Sequence, residues 1–331
     1  MATIGELVGG MLDNGYRRAA DQTLKSIAAT MSTPLITQRL GELNAEARRL
    51  AEAGEKLTPD NPVLRALIAD MEPALKRAAS SIDGSASQIT GASSDLAANA
   101  TRQLSVPGLD DRQLASIGIR WNVPDPVAVS ALIDYADKPA WGSEITKYTG
   151  LTLDTLRNQA VRGMALGWGP GRVAEEIVRV AQTLPLAQAQ MLTRTLYLES
   201  YRTAAAANQL ANQDILLDQI RIGTLDTRIC MCCLALHGTR LAVGEKISDH
   251  HAGRCTSIAV VTGRPRTVQT GEDWFNGLAE GEQLKIAGPG GYQALKSGKA
   301  QIRDFVQRYT DPVFGEMVRE ASLKSLGVRQ A

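Results

Sequence analysis

The stretch Asp226-Thr227-Arg228-Ile229-Cys230-Met231-Cys232-Cys233-Leu234-Ala235-Leu236-His237-Gly238, followed after a loop by Asp249-His250-His251-Ala252-Gly253-Arg254-Cys255, contains every cysteine and every histidine of the chain. Scattered use would be the default for 4 cysteines in 331 residues. Cys230 and Cys233 form a C-x-x-C pair, a spacing that lets two thiolates turn toward one ion. Cys255 with either His250 or His251 supplies a second pair. Two ligand pairs separated by a loop match structural zinc sites with mixed cysteine and histidine ligation. Cys232 points away from its neighbours' side in such a turn. His237, followed by Gly238, reads as the end of a turn that hydrogen-bonds locally.

Other chemistries fit this cluster less well. A disulfide is disfavoured in a reducing compartment. An iron–sulfur cluster wants four thiolates, and Cys230, Cys232 and Cys233 are crowded for that. A thioredoxin-type pair needs a βαβ context, which is missing. The zinc deaminase signature needs an H-x-E ahead of its cysteine pair, and none is present. Glu245 and Asp249 are nearby carboxylates, but three thiolates and an imidazole predict a closed, non-catalytic site. Thr224 to Val261 reads as polar and turn-rich, with little core of its own. A zinc ion, worth roughly 10–16 kcal/mol of apparent binding energy in such modules, is expected to take the place of that core.

The cluster sits between two strand candidates. Gln219 to Thr224 alternates polar and apolar residues, and Thr256 to Thr262 carries Ile258, Val260 and Val261. Elsewhere the period is helical. Residues 1 to about 58 read as helices with short breaks, with Leu40, Leu43, Ala47, Leu50 and Ala51 on one face. Asn61 and Pro62 start the next helix, which Pro73 should bend or end. In Ser80 to Ser105, Ile82, Ile89 and Leu96 recur every seven residues. Gly84 and Gly91 weaken this seam, and two readings stay open, a linker or a partner-binding helix. Val106-Pro107-Gly108 marks a boundary. Helices are then expected over Asp111 to Arg120, Pro126 to Ala136 and Leu153 to Leu166. A stripe from Val173 to Ala181 follows, interrupted by Pro185, and then a helix from about Leu186 to Ala211. Beyond Arg264 the chain returns to short helices: Glu272 to Leu278, Gln283 to Ile286, Gly291 to Leu295, and Gln301 onward. The fold class is thus mainly α-helical, with a small α+β zinc-stapled module toward the C-terminus. Its expected parts are a helical region 1–105, a helical region 106–213 and the zinc-binding module with terminal helices, 214–331.

Composition narrows the function classes. With 44% hydrophobic residues a sizeable core is available, and 4% aromatics favour slender helices over a β-sandwich. The net charge of +1 argues against the whole chain being a nucleic-acid binder. No basic start with an apolar run marks Met1 to Gly15 as a secretory signal, and no stretch is long and apolar enough to span a membrane. With all histidines in the cluster, a Ser–His or Cys–His catalyst elsewhere is excluded, and no enzymatic role is expected.

The residues Asp226-x-Arg228-x-Cys230-x-x-Cys233, Leu236-His237-Gly238 and His250 through Arg254-Cys255 resemble the Mu F-protein-like minor head proteins, or head morphogenesis proteins, of tailed bacteriophages. That family ends its motif as His-Pro-x-Cys-Arg-Cys. Aligning Arg254-Cys255 on this ending places His250, not His251, on the family's histidine. It also leaves Gly253 where a cysteine is common and His251 where proline is. Thr193-Arg194-Thr195 looks like the family's Arg-Thr-Glu helix, with Leu196 in place of the glutamate. Gly167-Trp168-Gly169, Glu272-Asp273-Trp274-Phe275 and Tyr292 to Gly298 extend the similarity to about residues 110 to 310.

The resemblance implies a minor virion component made in the host cytoplasm and placed at the portal vertex or capsid interior. It would act in head assembly, and in DNA packaging or ejection. Its implied partners are the portal protein, the major capsid or scaffold protein, and packaged DNA, with no membrane. Residues 1–105, with their amphipathic stripes, are the expected portal- or capsid-facing region. Two rival readings remain. One is a nucleic-acid-binding zinc module, in which Arg221, Arg228, Arg240, Lys246, Arg254, Arg264 and Arg266 track phosphates. The other is a toxin-like or hydrolytic enzyme, for which no nucleophile–base pair is visible.

Overall fold

The computed structural model describes residues 4–117, 120–135 and 138–327. It is mainly helical. Helices α1 (Ile4–Met31), α2 (Pro34–Glu52) and α3 (Pro62–Ser105) are followed by the short α4 (Asp111–Ser116) and α5 (Pro126–Leu132). Then come the long α6 (Pro139–Ala165) and α7 (Pro170–Leu210). Residues 118, 119 and 136, which fall within two of the expected helices, lie outside the described residues. No helix among the described residues is long and apolar enough to cross a membrane.

Two internal prolines do not break their helices. α3 runs through Pro73 and α7 through Pro185. Each proline forfeits one backbone hydrogen bond, but the buried stripe continues in phase across it. Leu67, Ile68 and Met71 precede Pro73, and Leu75, Ala78 and Ile82 follow. Pro185 is itself buried in the stripe of Ile177, Ala181, Ala189, Leu192 and Leu196. The 80–105 segment is helix, not linker. Ile82, Ala86 and Ile89 are fully buried, Leu96 is only half-buried, and Ala97 and Ala100 replace it in the buried stripe. A straight helix drifts about 20° per seven residues, so the apparent heptad is an ordinary core face. α6 begins at Pro139, well before the expected Leu153.

The chain forms two compact units that cut across the segments 1–105, 106–213 and 214–331. One comprises Ala20–Gln88 and Ala136–Arg194. Its interior holds Leu43, Leu64, Leu67, Met71, Trp141 and Leu156, with Trp141 Nε1 donating to Asp83 (3.2 Å) and Arg39 paired with Asp70 (2.6 Å). The other comprises Met1–Ala19, Ile89–Tyr135 and Thr195–Ala331.

The second unit contains β1 (Leu216–Ile222), α8 (Met231–Leu236), β2 (Arg240–Leu241) and β3 (Thr256–Val261), with the sheet in the order β2-β1-β3, antiparallel throughout. The alternation in β1 does not mark one wet face, because Gln219, Ile220, Arg221 and Ile222 are all buried. α9 (Gly271–Asn276) and α10 (Glu280–Lys296) follow. α10 is interrupted at Gly288 (φ 66°) before Pro289, giving the two short pieces expected there. From Gln301 the expectation of helix fails. A 3₁₀ turn, Ile302–Phe305, leads into a hairpin of β4 (Val306–Asp311) and β5 (Gly315–Glu320). Asp311 accepts from the amides of Val313 (2.9 Å) and Phe314 (3.0 Å) to close its turn.

Thr224 to Val261, expected to have little core of its own, buries its apolar residues in clusters shared with neighbouring elements. Leu225, Ile229, Met231, Cys233, Leu234, Ile247 and Cys255 pack with Phe275, Ile302 and Phe305 in one apolar cluster. Ile220, Ile222, Ile258 and Val260 form another. The first turns of α1 lie against this region. Val8, Leu12 and Tyr16 are buried, and a Cβ on Gly5 would stand 2.6 Å from the Gly223 carbonyl oxygen. Gly5→Val is therefore expected to cost about 1–3 kcal/mol through overpacking, read as a lowered denaturation midpoint.

Candidate metal centre

Cys230 caps the start of α8, its Sγ accepting from the Cys233 amide (3.3 Å). One turn of helix thus brings the two C-x-x-C sulfurs to the same side. The approach to that turn is fixed by Asp226, which accepts from the Arg228 amide (2.9 Å) and holds Arg254 through two contacts of 2.7 Å. His250 and Cys255 lie on the loop between β2 and β3. That loop makes a tight turn in which the Gly253 amide donates to the His250 carbonyl (2.9 Å) and Ala252 takes a positive φ of 55°. Thr195 Oγ1 accepts from the Ala252 amide (2.9 Å). A side chain at Gly253 has no room, since a Cβ there would be 2.3 Å from Asp249 Oδ2.

Two overlapping trios of donor atoms result. Cys230, Cys233 and His250 form one, and Cys233, Asp249 and Cys255 the other, each with its ligand atoms within 4.8 Å of one another. Donors at 2.0–2.3 Å from a tetrahedral zinc ion lie about 3.3–3.8 Å apart, a range that includes the 3.4 Å between Cys230 Sγ and His250 Nε2. Cys233 belongs to both trios. His250 Nε2 lies 3.4 Å from Cys230 Sγ, while its Nδ1 lies 2.9 Å from the His251 carbonyl oxygen. An Nδ1–H donated to that oxygen leaves Nε2 as the ligating nitrogen. His251 lies outside both trios, with Nε2 3.3 Å from Asp311 and its ring edge-on to Phe314.

Cys232 is fully buried and outside the cluster, and burial pushes its thiol well up. Cys232→Ala is accordingly expected to leave metal content unchanged, measured as moles of metal per chain. His237 is buried; it accepts from the Gly223 amide (2.9 Å) through Nδ1 and takes no part in the cluster.

The electrostatics favour a thiolate at Cys230 and hold the proton on Cys233. The hydrogen bond from Cys233, with His250 alongside, pulls the Cys230 thiol down to about 4 against its burial. Burial opposes the His250 cation, but Cys230 and Asp249 outweigh it and raise the imidazole to about 9. A metal binding here would displace that proton, because only the neutral imidazole ligates.

Asp249 is fully buried. Its Oδ1 accepts from the His250 amide (2.9 Å) and faces Arg221 (3.3 Å) and Cys233 Sγ (3.3 Å). Its Oδ2 accepts from Arg202 (2.6 Å) and the Cys255 amide (3.0 Å). Burial would raise its carboxyl, but the two guanidiniums hold it down at about 2. With both oxygens engaged, Asp249 reads as the support of the ligand loop. Arg202 and its partner Glu199 (2.5 Å) are only 1% exposed in their side chains. Lys246 continues the chain of charge by pairing with Glu199 (2.8 Å). Sequence reasoning missed Arg202 and Glu199; the visible signal was an acid–base pair three apart in Leu196 to Ala207, a stretch with no other charge.

The basic residues proposed to track phosphates are largely committed to partners. Arg221 donates to Ser248 and faces Asp249, Arg240 pairs with Asp218, Lys246 with Glu199, and Arg254 with Asp226. Arg266 donates to the Leu104 carbonyl (2.9 Å). Arg228 contacts Asp226 but stays largely exposed. Glu245 accepts from the Ala242 amide (3.2 Å) and does not join the cluster.

The cluster formed by Cys230, Cys233, Asp249, His250 and Cys255 has the donor chemistry to hold a metal ion. No family model, curated protein or solved structure matches the chain.

Proposed function

We propose that this chain is a minor head protein of a tailed bacteriophage, associated with the portal vertex and acting in head assembly. In this reading Cys230, Cys233, His250 and Cys255 hold one zinc ion with a structural, non-catalytic role. Three thiolates and an imidazole are a donor set used by closed structural zinc sites. When bound, the ion would cross-link the start of α8 to the loop before β3.

One observation carries the reading: the residues of the motif that resembles the head morphogenesis family converge in space. Cys230, Cys233 and His250 come together, and Cys255 lies beside Cys233 and Asp249; Asp226 binds Arg254; His237 braces Gly223. The amphipathic stripes of residues 1–105 are less useful as evidence for a partner surface. Val8, Leu12, Leu40, Leu43, Leu64, Leu67, Ile82 and Ile89 are buried within the chain itself. Contact with portal or capsid proteins would fall to other, exposed residues.

The test is proteomic. Purified particles of a phage encoding this chain should contain it in a few copies per head, against many copies of the major capsid protein. Its absence from mature heads and from assembly intermediates alike would refute the assignment.

A further inference from the structure

The loop that carries two of the four candidate ligands is held at several points by side chains that are not ligands. Arg202 reaches it from α7: Nε donates to the Cys255 carbonyl (3.0 Å), and Nη2 lies within reach of the Gly253 carbonyl (2.8 Å), the Cys255 carbonyl (2.8 Å) and Asp249 Oδ2 (2.6 Å). Arg221 reaches it from β1, donating to the Ser248 carbonyl and facing Asp249 Oδ1. Asp249 then turns inward and accepts the amides of both ligand residues, His250 and Cys255. The Val318 amide of β5 donates to the Asp249 carbonyl (3.3 Å). Each of these contacts joins one protein group to another.

We propose that Arg202, Asp249 and Arg221 form a buried clamp that sets His250 and Cys255 in place before metal arrives, so that the centre is preformed. This deepens, and rests on, the reading of the cluster as a metal site. Arg202 is a positioning residue here. Its planar fork supplies several fixed donors at once, which a lysine cannot reproduce. Outer-sphere partners of this kind typically govern metal affinity by 10–100-fold.

The experiment uses the full-length protein, stripped with a chelator under reducing conditions, in wild-type, Arg202→Met and Arg202→Lys forms. Arg202 is a safer probe than Asp249, because Glu199 keeps Lys246 and Asp249 keeps Arg221 when it is replaced. Hydrogen exchange is followed on peptides covering 249–256, and cobalt(II) is then titrated in, with its thiolate charge-transfer and ligand-field bands as the readout. In the stripped wild type the His250 and Cys255 amides are expected to exchange ~100-fold more slowly than an open loop. Arg202→Met should lose most of that protection, bind cobalt(II) 10–100-fold more weakly and shift its ligand-field bands. Arg202→Lys should recover part of each.

Fast exchange over 249–256 in the stripped wild type, with protection appearing only when zinc is added, would overturn the clamp. That comparison decides the matter even if Arg202→Met fails to fold. If the wild type takes up neither cobalt nor zinc, the metal reading falls, while the exchange data still judge the clamp.

Discussion

Asp249→Ala is expected to be the most damaging single substitution in the chain, costing about 3–5 kcal/mol. The loss would come from the partners more than from the residue. Removal of the carboxylate leaves Arg202 short of one of its two acid partners, and Arg221 has no other carboxylate pair among the described residues. Both side chains are almost fully buried, and burial of a charge without its counterpart is what makes breaking such a network expensive. The amides of His250 and Cys255 lose their acceptor in the same step. Against a total stability of about 5–15 kcal/mol for a typical domain, the variant should accumulate as insoluble protein or melt far below the wild type. Asp249→Asn keeps an acceptor oxygen and should be milder. Equal denaturant midpoints for wild type and Asp249→Ala would show that the clamp contributes nothing.

Cys233→Ser is expected to have the second-largest effect, because Cys233 belongs to both donor trios. With three of its four proposed ligands left, the site should retain little zinc through purification. A ligand present at 1,000 times its dissociation constant stabilises the native state by about 4 kcal/mol, and the thermal midpoint should fall accordingly. Unfolding should stay cooperative, since the cluster around Leu234 and Phe275 also holds Ile229, Met231, Ile302 and Phe305, and the one around Ile220 and Ile258 contains no cysteine. The test is a pair of melts with and without chelator. The wild type should lose several degrees on chelation, and Cys233→Ser should lose nothing further. A variant that melts like the wild type in both conditions would contradict the ligand role.

How far the sequence reaches is seen in where the reading fails. Grouping of Cys230, Cys233 and Cys255 was readable because thiol spacing is short-range information, written in a C-x-x-C turn and one loop. The choice of His250 over His251 was not settled by spacing. In the fold a turn aims the His250 ring at Cys230 and leaves that of His251 beside Asp311 and Phe314. Helix identity was mostly readable from period. Helix breaks were not: Pro73 and Pro185 are tolerated because long-range burial on both sides outweighs one missing hydrogen bond. Asp249 was readable only as a carboxylate near the cluster and Arg221 as a candidate phosphate contact, and only the fold shows that they face each other inside. The terminal hairpin was missed because its buried residues, Val313, Phe314, Met317 and Val318, are too few to set a clear period.

The proposed zinc ligation is tested most directly by metal content. Full-length wild type, His250→Ala and His251→Ala, purified in parallel without added chelator, would be assayed for zinc per chain by elemental mass spectrometry. Close to one zinc is expected in the wild type and in His251→Ala, with a large loss in His250→Ala. A wild type without zinc, or His250→Ala carrying as much as His251→Ala, would contradict it.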